Sequence, residues 1–86
     1  MKGVNMNLKF KDIKKYISII DRLSICNKET LQYQNYKCMV EVPDIYDEMY
    51  VYGIGHIQSE FEEDGNLIFT HCIEIMLSTE PRFEDK

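Results

Sequence analysis

Apolar residues near the start of the chain recur at the spacing of a helix. They are separated by three or four positions, which predicts an amphipathic helix over residues 8–20 with its apolar face in the core. Asn7 comes just before this pattern and suits the N-cap position. The apolar face consists of Phe10, Ile13, Tyr16, Ile17 and Ile20. The lysines of the segment lie off this face and are expected to be solvated: Lys9, Lys11, Lys14 and Lys15.

Shorter alternating segments follow the predicted helix. Residues 22–27 and 30–36 are each typical of a strand, and a polar turn between them predicts a hairpin. The stretch 35–42 fits either an extension of the second strand or a separate short strand. Pro43 then suits the first position of a single helical turn over residues 44–48.

The strongest strand signal lies in the second half of the chain. Residues 50–61 and 66–77 are rich in β-branched and aromatic side chains, and the polar, Gly-containing loop between them predicts a long hairpin. Gly53 and Gly55 predict a bulge or a sharp bend in the first arm. The second arm has an apolar face formed by Leu67, Phe69, Ile73, Ile75 and Leu77. Its other face is formed by Ile68, Thr70, Cys72, Glu74 and Met76.

These elements together predict an α+β fold in one domain. The N-terminal helix packs on a small antiparallel sheet of about four strands, arranged as two hairpins and strongly bent or barrel-like. We expect the helix to cover the apolar face of the 66–77 strand. The domain spans residues 1–86, with flexible tails at residues 1–6 and 80–86.

Composition is typical of a small cytoplasmic protein. The 86 residues are 44% hydrophobic and 29% charged. No apolar run approaches the ~20 residues that cross a bilayer, so we expect no membrane contact. The first residues lack the apolar core of a secretory signal. Three widely spaced cysteines without a CxxC pair are typical of reduced thiols: Cys26, Cys38 and Cys72.

Charge is divided unequally along the chain. Residues 1–37 hold eight Lys/Arg and three Asp/Glu, whereas residues 38–86 hold two and twelve. The formal charges of the two parts are therefore +5 and −10. Phosphate neutralisation supplies most of the affinity for nucleic acid, so the acidic balance disfavours nucleic acid as a partner.

Two histidines and a cysteine on the long hairpin are the candidates for chemistry. A three-residue turn over residues 63–65 would place His56 opposite Cys72 and His71 opposite Ile57. A one-residue slip of the register would instead place His56 beside His71. A His–Cys pair offers two metal ligands where a structural zinc site needs four. With Glu74 nearby, a Cys–His nucleophile would still need an orienting group and a cleft, so we predict no metal, no cofactor and no enzyme activity.

The tyrosines carry the main functional signal. Tyrosine is enriched at protein interfaces, because it combines a large apolar area with a polar tip. The alternative is that these rings pack across strands inside the fold. We predict an interaction surface composed of the exposed tyrosines and the acidic hairpin loop: Tyr33, Tyr36, Tyr46, Tyr50, Tyr52, Glu62, Glu63 and Asp64.

Three segments resemble small uncharacterised accessory proteins of conjugative and other mobile elements of Gram-positive bacteria. They are Arg22-Leu23-Ser24-Ile25-Cys26, Val42-Pro43-Asp44-Ile45 and Val51-Tyr52-Gly53-Ile54-Gly55, the last followed by an acidic hairpin loop. The resemblance extends over residues 8–77. It implies a cytosolic accessory protein that its host can lose, and it carries over no functional residue.

Three functions remain compatible with the sequence. The first is a protein-interaction module, whose partner is another protein or a second copy that joins its basic helix to the acidic hairpin. The second is an inhibitor whose carboxylates imitate the phosphates of nucleic acid: Asp44, Asp47, Glu48, Glu60, Glu62, Glu63 and Asp64. The third is weak nucleic-acid binding through the basic helix, with tyrosines as stacking platforms. Its cations would be Lys9, Lys11, Lys14, Lys15 and Arg22.

Overall fold

The computed structural model describes residues 7–83 and confirms the α+β class. One short helix lies beside a sheet of four strands in the order β2-β1-β4-β3. The predicted tail at residues 1–6, and residues 84–86 of the other predicted tail, lie outside the described residues. The elements are α1 (Phe10–Ile13), β1 (Leu23–Asn27), β2 (Tyr33–Tyr36), β3 (Tyr50–Glu63) and β4 (Asn66–Ser78).

The sheet is mixed rather than wholly antiparallel. Both predicted hairpins form, β1 with β2 and β3 with β4, but they join through a parallel pair, β1 with β4. This pairing sets Leu23 beside Ile73 and Ile25 beside Ile75. The apolar sides of the two hairpins therefore form one continuous face. Alternation in a sequence defines the faces of each hairpin but not the direction in which two hairpins meet.

The sheet is bent but not closed into a barrel. The β3–β4 register shifts by one residue between Val51 and Gly53, which is the bulge that the glycines predict. The two edge strands approach each other at one point. There the amide nitrogen Nδ2 of Asn35 on β2 donates to Ser59 Oγ at 2.7 Å and to the Glu60 carbonyl at 2.9 Å on β3.

The predicted helix over residues 8–20 is wrong in its extent. α1 ends at Ile13, a single 3₁₀ turn continues to Tyr16, and the backbone of Ile17 is already extended. Beyond that point the segment is rich in Ile and Ser, which have lower helix propensity than Ala, Leu or Lys. Tyr16 was expected in the core but is 80% exposed, and Ile20 is 78% exposed.

The main core lies between α1 and the sheet. Phe10 is fully buried and meets the ring of Tyr46 edge-on, with ring centroids 6.4 Å apart. The first amide groups of the helix are satisfied by the chain that leads into β3: Phe10 N–H donates to the Met49 carbonyl, and Lys11 N–H to the Asp47 carbonyl. The buried cluster is Phe10, Leu23, Ile25, Ile75 and Leu77.

The turn before β3 carries the ion pairs of the helical segment. Pro43 precedes a 3₁₀ turn over Asp44–Tyr46, as predicted. Glu48 accepts from Lys9 Nζ at 2.8 Å and from Lys11 Nζ at 2.9 Å, and Asp47 pairs with Lys14 Nζ at 2.7 Å. The hydrogen bonds from Lys11 and Lys9 hold the pKa of the Glu48 carboxyl at about 2. The basic start of the chain is thus bound to its acidic middle.

This lowered pKa predicts a specific loss of stability in acid. Because the pKa of Glu48 falls from an ordinary 4.5 to about 2 on folding, its ion pairs stabilise the fold above about pH 4.5. That contribution is lost as the pH falls through about 2. We expect the thermal midpoint of the wild type, followed by circular dichroism, to fall more steeply between pH 4.5 and pH 2 than that of Glu48→Gln. A matched Glu41→Gln variant should keep the wild-type slope, and equal slopes for all three proteins would contradict the assignment.

The long hairpin turns on two residues, not three. Asp64 and Gly65 have φ values of 53° and 79°, and this pair of positive angles is typical of a tight type I′ turn. Glu63 pairs directly with Asn66. The predicted three-residue turn is therefore wrong, and every β3 residue beyond the bulge pairs one position later on β4 than expected.

The hairpin reaches well beyond the rest of the sheet. β1 pairs only with Ile73–Leu77 of β4, so residues 57–72 form a two-stranded ribbon. At ~3.3 Å per residue, the 14 residues of β3 have a length of about 46 Å measured along the curved strand. The molecule measures 51 Å along its long axis and 26 and 22 Å along the other two.

Residues 80–83, part of a predicted flexible tail, contact the body of the fold. Tyr52 Oη donates to the carbonyls of Glu80 and Pro81, each at 2.9 Å. Asn7 Nδ2 donates a hydrogen bond to the Phe83 carbonyl at 2.9 Å, and Asn7 Oδ1 accepts one from the Phe83 N–H at 2.8 Å. Asn7 therefore does not cap α1; Lys9 occupies that position.

Candidate interaction surface

β4 buries one of its two faces at its C-terminal end and the opposite face on the ribbon. The face that holds Ile73, Ile75 and Leu77 lies under α1, where Ile75 and Leu77 are fully buried. On the ribbon the same face is open, and Leu67 and Phe69 are 70% and 66% exposed. The predicted helical cover over these two residues is absent, and the helical segment itself ends at Tyr16.

The opposite face of the ribbon is the covered one. Phe61 on β3 is 3% exposed and Cys72 on β4 is 4% exposed, and both lie on this inner side together with Ser24 and Cys26 of β1. The curl of the sheet encloses these residues. Polar groups inside are paired: the buried Ser24 hydroxyl donates to Asn35 Oδ1 at 2.7 Å.

An ion pair holds the ribbon in this curl. Arg22 lies just before β1, and its Nη2 is 2.6 Å from Glu63 Oε2 near the hairpin turn. Its guanidinium also lies over the ring of Phe61, at 5.9 Å from the ring centroid. We call this pair the Arg22–Glu63 latch. It ties the outer end of the ribbon to the chain entering β1.

The latch predicts a local change in hydrogen exchange. Glu63→Gln removes one charge of a pair that is 31% exposed on each side, and such pairs contribute up to about 1 kcal/mol. We expect amide exchange of residues 60–70 to become about five-fold faster, with residues 23–27 unchanged. The neighbouring variant Glu62→Gln is the control and should leave exchange unaltered. Equal acceleration by both variants would mean that the latch does not restrain the ribbon.

The open side of the ribbon presents two unlike columns of side chains, which we call the ribbon face. β4 contributes Leu67, Phe69 and His71, and β3 contributes Gln58, Glu60 and Glu62. The pairs are direct neighbours across the strands: Glu62 opposite Leu67, Glu60 opposite Phe69, and Gln58 opposite His71. An apolar column thus runs beside an acidic column, on adjacent strands ~4.8 Å apart.

A shallow depression lies at the inner end of the ribbon face. Its volume is about 220 Å³, and its lining includes Ile20, Asp21, His56 and His71. Ile20, left outside the core by the short helix, therefore extends the apolar surface toward the body of the protein. The ribbon face and this depression form one continuous exposed region.

The tyrosines predicted to form the surface are dispersed. Tyr36 and Tyr46 pack on the main core and share a hydrogen bond between their hydroxyls at 3.1 Å. Burial, with this bond, raises the pKa of Tyr36 to about 12. Tyr33 lies on the inner face of the sheet, where its hydroxyl donates to Glu74. Tyr36 and Tyr46 therefore make contacts inside the fold, whereas Tyr33 is 48% exposed.

Tyr50 and Tyr52 lie at the start of β3, apart from the other three tyrosines. Lys9 Nζ lies 5.6 Å from the ring centroid of Tyr50, and Lys28 Nζ lies 5.1 Å from that of Tyr52. Both rings are half-buried. Among the described residues, the five tyrosines do not form one aromatic surface.

The predicted acidic residues do lie together at the ribbon tip. Glu62 and Asp64 are exposed, whereas Glu63 is half-buried and held by Arg22. Of the other carboxylates proposed as phosphate mimics, Asp47 and Glu48 are bound to lysines of the same chain. The lysines bound there, Lys9, Lys11 and Lys14, are three of the five cations that the nucleic-acid hypothesis needs.

The structure separates the residues considered for chemistry. His56 pairs with Ile73 and His71 with Gln58, so both histidines lie on the open face. Cys72 pairs with Ile57 on the inner face, so the pairing of His56 with Cys72 that a three-residue turn would give does not form. Burial, and then the nearby Glu74 carboxylate, raise the pKa of the Cys72 thiol, which disfavours the reactive thiolate.

Glu74 instead serves a structural contact. Its Oε2 accepts a hydrogen bond of 2.6 Å from Tyr33 Oη, and this bond raises the pKa of Tyr33 to about 12. Within residues 7–83, no three His, Cys, Asp or Glu side chains come together as a metal site would require. The same part of the chain contains no helix long and apolar enough to cross a membrane.

Comparisons with protein-family models, curated proteins and solved structures find no match to this chain. The ribbon face itself was partly visible in the sequence. Leu67 and Phe69 were assigned to the correct face of β4, but that face was expected to be covered. The low helix propensity after Tyr16 is the sequence signal that the helix is shorter than its apolar periodicity predicts.

Proposed function

We propose that the chain is a protein-interaction module that binds its partner on the ribbon face rather than a catalyst. One observation carries the proposal. Leu67 and Phe69 are about two-thirds exposed, side by side with acidic neighbours, on a ribbon that the fold holds in place. Apolar residues that cluster on an exposed surface bordered by polar ones are typical of docking sites.

Burial of Leu67 and Phe69 by a partner is energetically favourable. Full burial of a Leu or Phe side chain contributes about 1.5–3 kcal/mol, so these two residues together offer several kcal/mol to a complex. Aromatic anchors of this kind commonly dominate the binding energy of an interface. The resemblance to accessory proteins of mobile elements stays a prediction and adds no residue to the proposal.

A photocrosslinking experiment tests the proposal directly. A benzophenone amino acid replaces Phe69 in one protein and Ile45 in another, and each is irradiated in cells that naturally produce the chain. Ile45 is 77% exposed but lies far along the chain from the ribbon, in the turn before β3, so it is the matched control. We expect a discrete protein adduct from position 69, and Leu67→Ser should reduce its yield.

Two results would overturn the proposal. One is the absence of any protein adduct from position 69, and the other is the same set of adducts from positions 69 and 45. An adduct of twice the chain's own mass would identify a second copy as the partner and would still support an interaction module.

A further inference from the structure

We infer that the occupant of the ribbon face is a basic amphipathic helix of another protein, an inference that rests on the proposed function. The charges around the apolar column carry it. Glu60, Glu62 and Asp64 are exposed, and among residues 7–83 none of the three forms an ion pair. A partner that covers Leu67 and Phe69 must also meet these carboxylates.

The chain offers these carboxylates no cation of its own. There is no Lys or Arg between positions 38 and 81, so β3 and β4 are entirely without positive side chains other than histidine. Arg22, which contacts the outer end of the ribbon, is bound to Glu63. Covering the apolar column with a neutral or acidic surface would leave the Glu60 and Glu62 charges poorly solvated, and a basic surface avoids this penalty.

A second copy fits this chemistry poorly. Two ribbon faces in contact would bring Glu60 and Glu62 of one molecule toward the same residues of the other, and like charges repel. Most cations of the helical segment of a second copy are already paired, and of its four lysines only Lys15 forms no ion pair within residues 7–83. Its Lys9 and Lys11 are bound to Glu48, and its Lys14 is bound to Asp47.

The spacing of the two columns matches a helix. Alternate residues on a strand are ~6.7 Å apart, and residues four apart on a helix are ~6 Å apart along its axis. A helix lying along the ribbon can therefore set apolar side chains at i and i+4 over Leu67 and Phe69. Lysines or arginines next to that stripe then meet Glu62 and Glu60, which lie directly across from these two residues.

The test uses purified chain and a designed probe. The probe is a fluorescent, capped 18-residue helical peptide with leucines on one face and flanking lysines, and a matched peptide carries glutamates in place of the lysines. Anisotropy is measured at low salt, where exposed charges are little screened. We expect saturable binding of the lysine peptide, no binding of the glutamate peptide, and weaker binding as salt is raised.

Two charge-matched variants locate the site. Glu60→Lys/Glu62→Lys should weaken binding of the lysine peptide at least ten-fold. Glu41→Lys/Asp44→Lys changes the net charge equally in an exposed turn away from the ribbon, and it should alter binding less than three-fold. If both variants lose affinity for the lysine peptide equally, the binding depends only on net charge, and the inference is overturned.

Two further measurements use the wild-type chain and do not depend on how well a variant folds. Amide chemical shifts of the wild type should move on peptide addition at residues 58–71 and not at residues 39–46. Sedimentation of the chain alone at high concentration should give a monomer. A dimer that Phe69→Ser dissociates would overturn the inference while supporting the proposed function. If position 69 forms no crosslink with any protein, both the inference and the proposed function are overturned.

Discussion

Replacing Phe10 with alanine is expected to lower the free energy of unfolding by about 3–5 kcal/mol. Phe10 is fully buried, packs edge-on against Tyr46 and is the centre of the contact between the helical segment and the sheet. Domains of this size are stable by only about 5–15 kcal/mol, so the variant should lose a large part of its stability. Urea denaturation followed by circular dichroism measures the change.

The matched control for Phe10 is an aromatic residue of the same segment. Tyr16 is 80% exposed, so Tyr16→Ala should change the free energy of unfolding by no more than about 0.5 kcal/mol. A comparable loss from both variants would indicate that the helix continues past Tyr16 and covers the ribbon. That outcome would support the longer helix over residues 8–20 that the apolar periodicity alone predicts.

Replacing both Leu67 and Phe69 with serine should remove partner binding without harming the fold. Each side chain is about two-thirds exposed, so a partner that buries it gains about 1–2 kcal/mol per residue, and the double variant loses about 2–4 kcal/mol. This corresponds to a fall in affinity of about 30-fold to 1000-fold. Titration with the partner captured at position 69 measures the affinity, and urea denaturation measures the free energy of unfolding.

The control for this pair is two residues of similar exposure elsewhere on the surface. Val40 and Ile45 are 83% and 77% exposed, and Val40→Ser/Ile45→Ser should leave affinity unchanged. The Leu67→Ser/Phe69→Ser protein should unfold at nearly the same urea concentration as the wild type. A large loss of stability in that variant would mean that the two residues belong to the core, and the ribbon face would not exist as described.

The strands could be predicted because their signal is local. Alternation of apolar and polar residues placed β3 and β4 within one or two residues of their observed bounds and assigned Leu67 and Phe69 to the correct face. The bend at Gly53 was also correct. Each of these properties depends on residues close together in the chain, where pattern and backbone preference act directly.

The turn of the long hairpin is one residue shorter than the three-residue turn considered from the sequence. Asp-Gly is a favoured pair for a two-residue turn with positive φ at both positions, and Asp64 and Gly65 adopt that turn. The choice between two and three turn residues shifts the pairing by one position. That single step separates His56 from Cys72 and places both histidines on the open face.

Burial along β4 could not be read from its own sequence. Alternation shows that the strand has two faces, but other segments decide which face is covered at each point. The curl of the sheet and the Arg22–Glu63 latch enclose Phe61 and Cys72, whereas the short α1 covers only the far end of the strand. These contacts join residues that are distant in the chain, so the exposed ribbon face emerges only in the folded structure.

The central claim is that one face of β4 is buried at its end and open on the ribbon. Leu67 and Leu77 lie on that same face, ten positions apart, and are 70% and 0% exposed. The most direct test is methyl NMR of leucine-labelled protein with a soluble paramagnetic gadolinium chelate, which broadens signals near solvent. We expect strong broadening of the Leu67 methyl signals and little of the Leu77 signals. Equal protection of both leucines would show that the ribbon face is covered within the chain, and the docking surface would be lost.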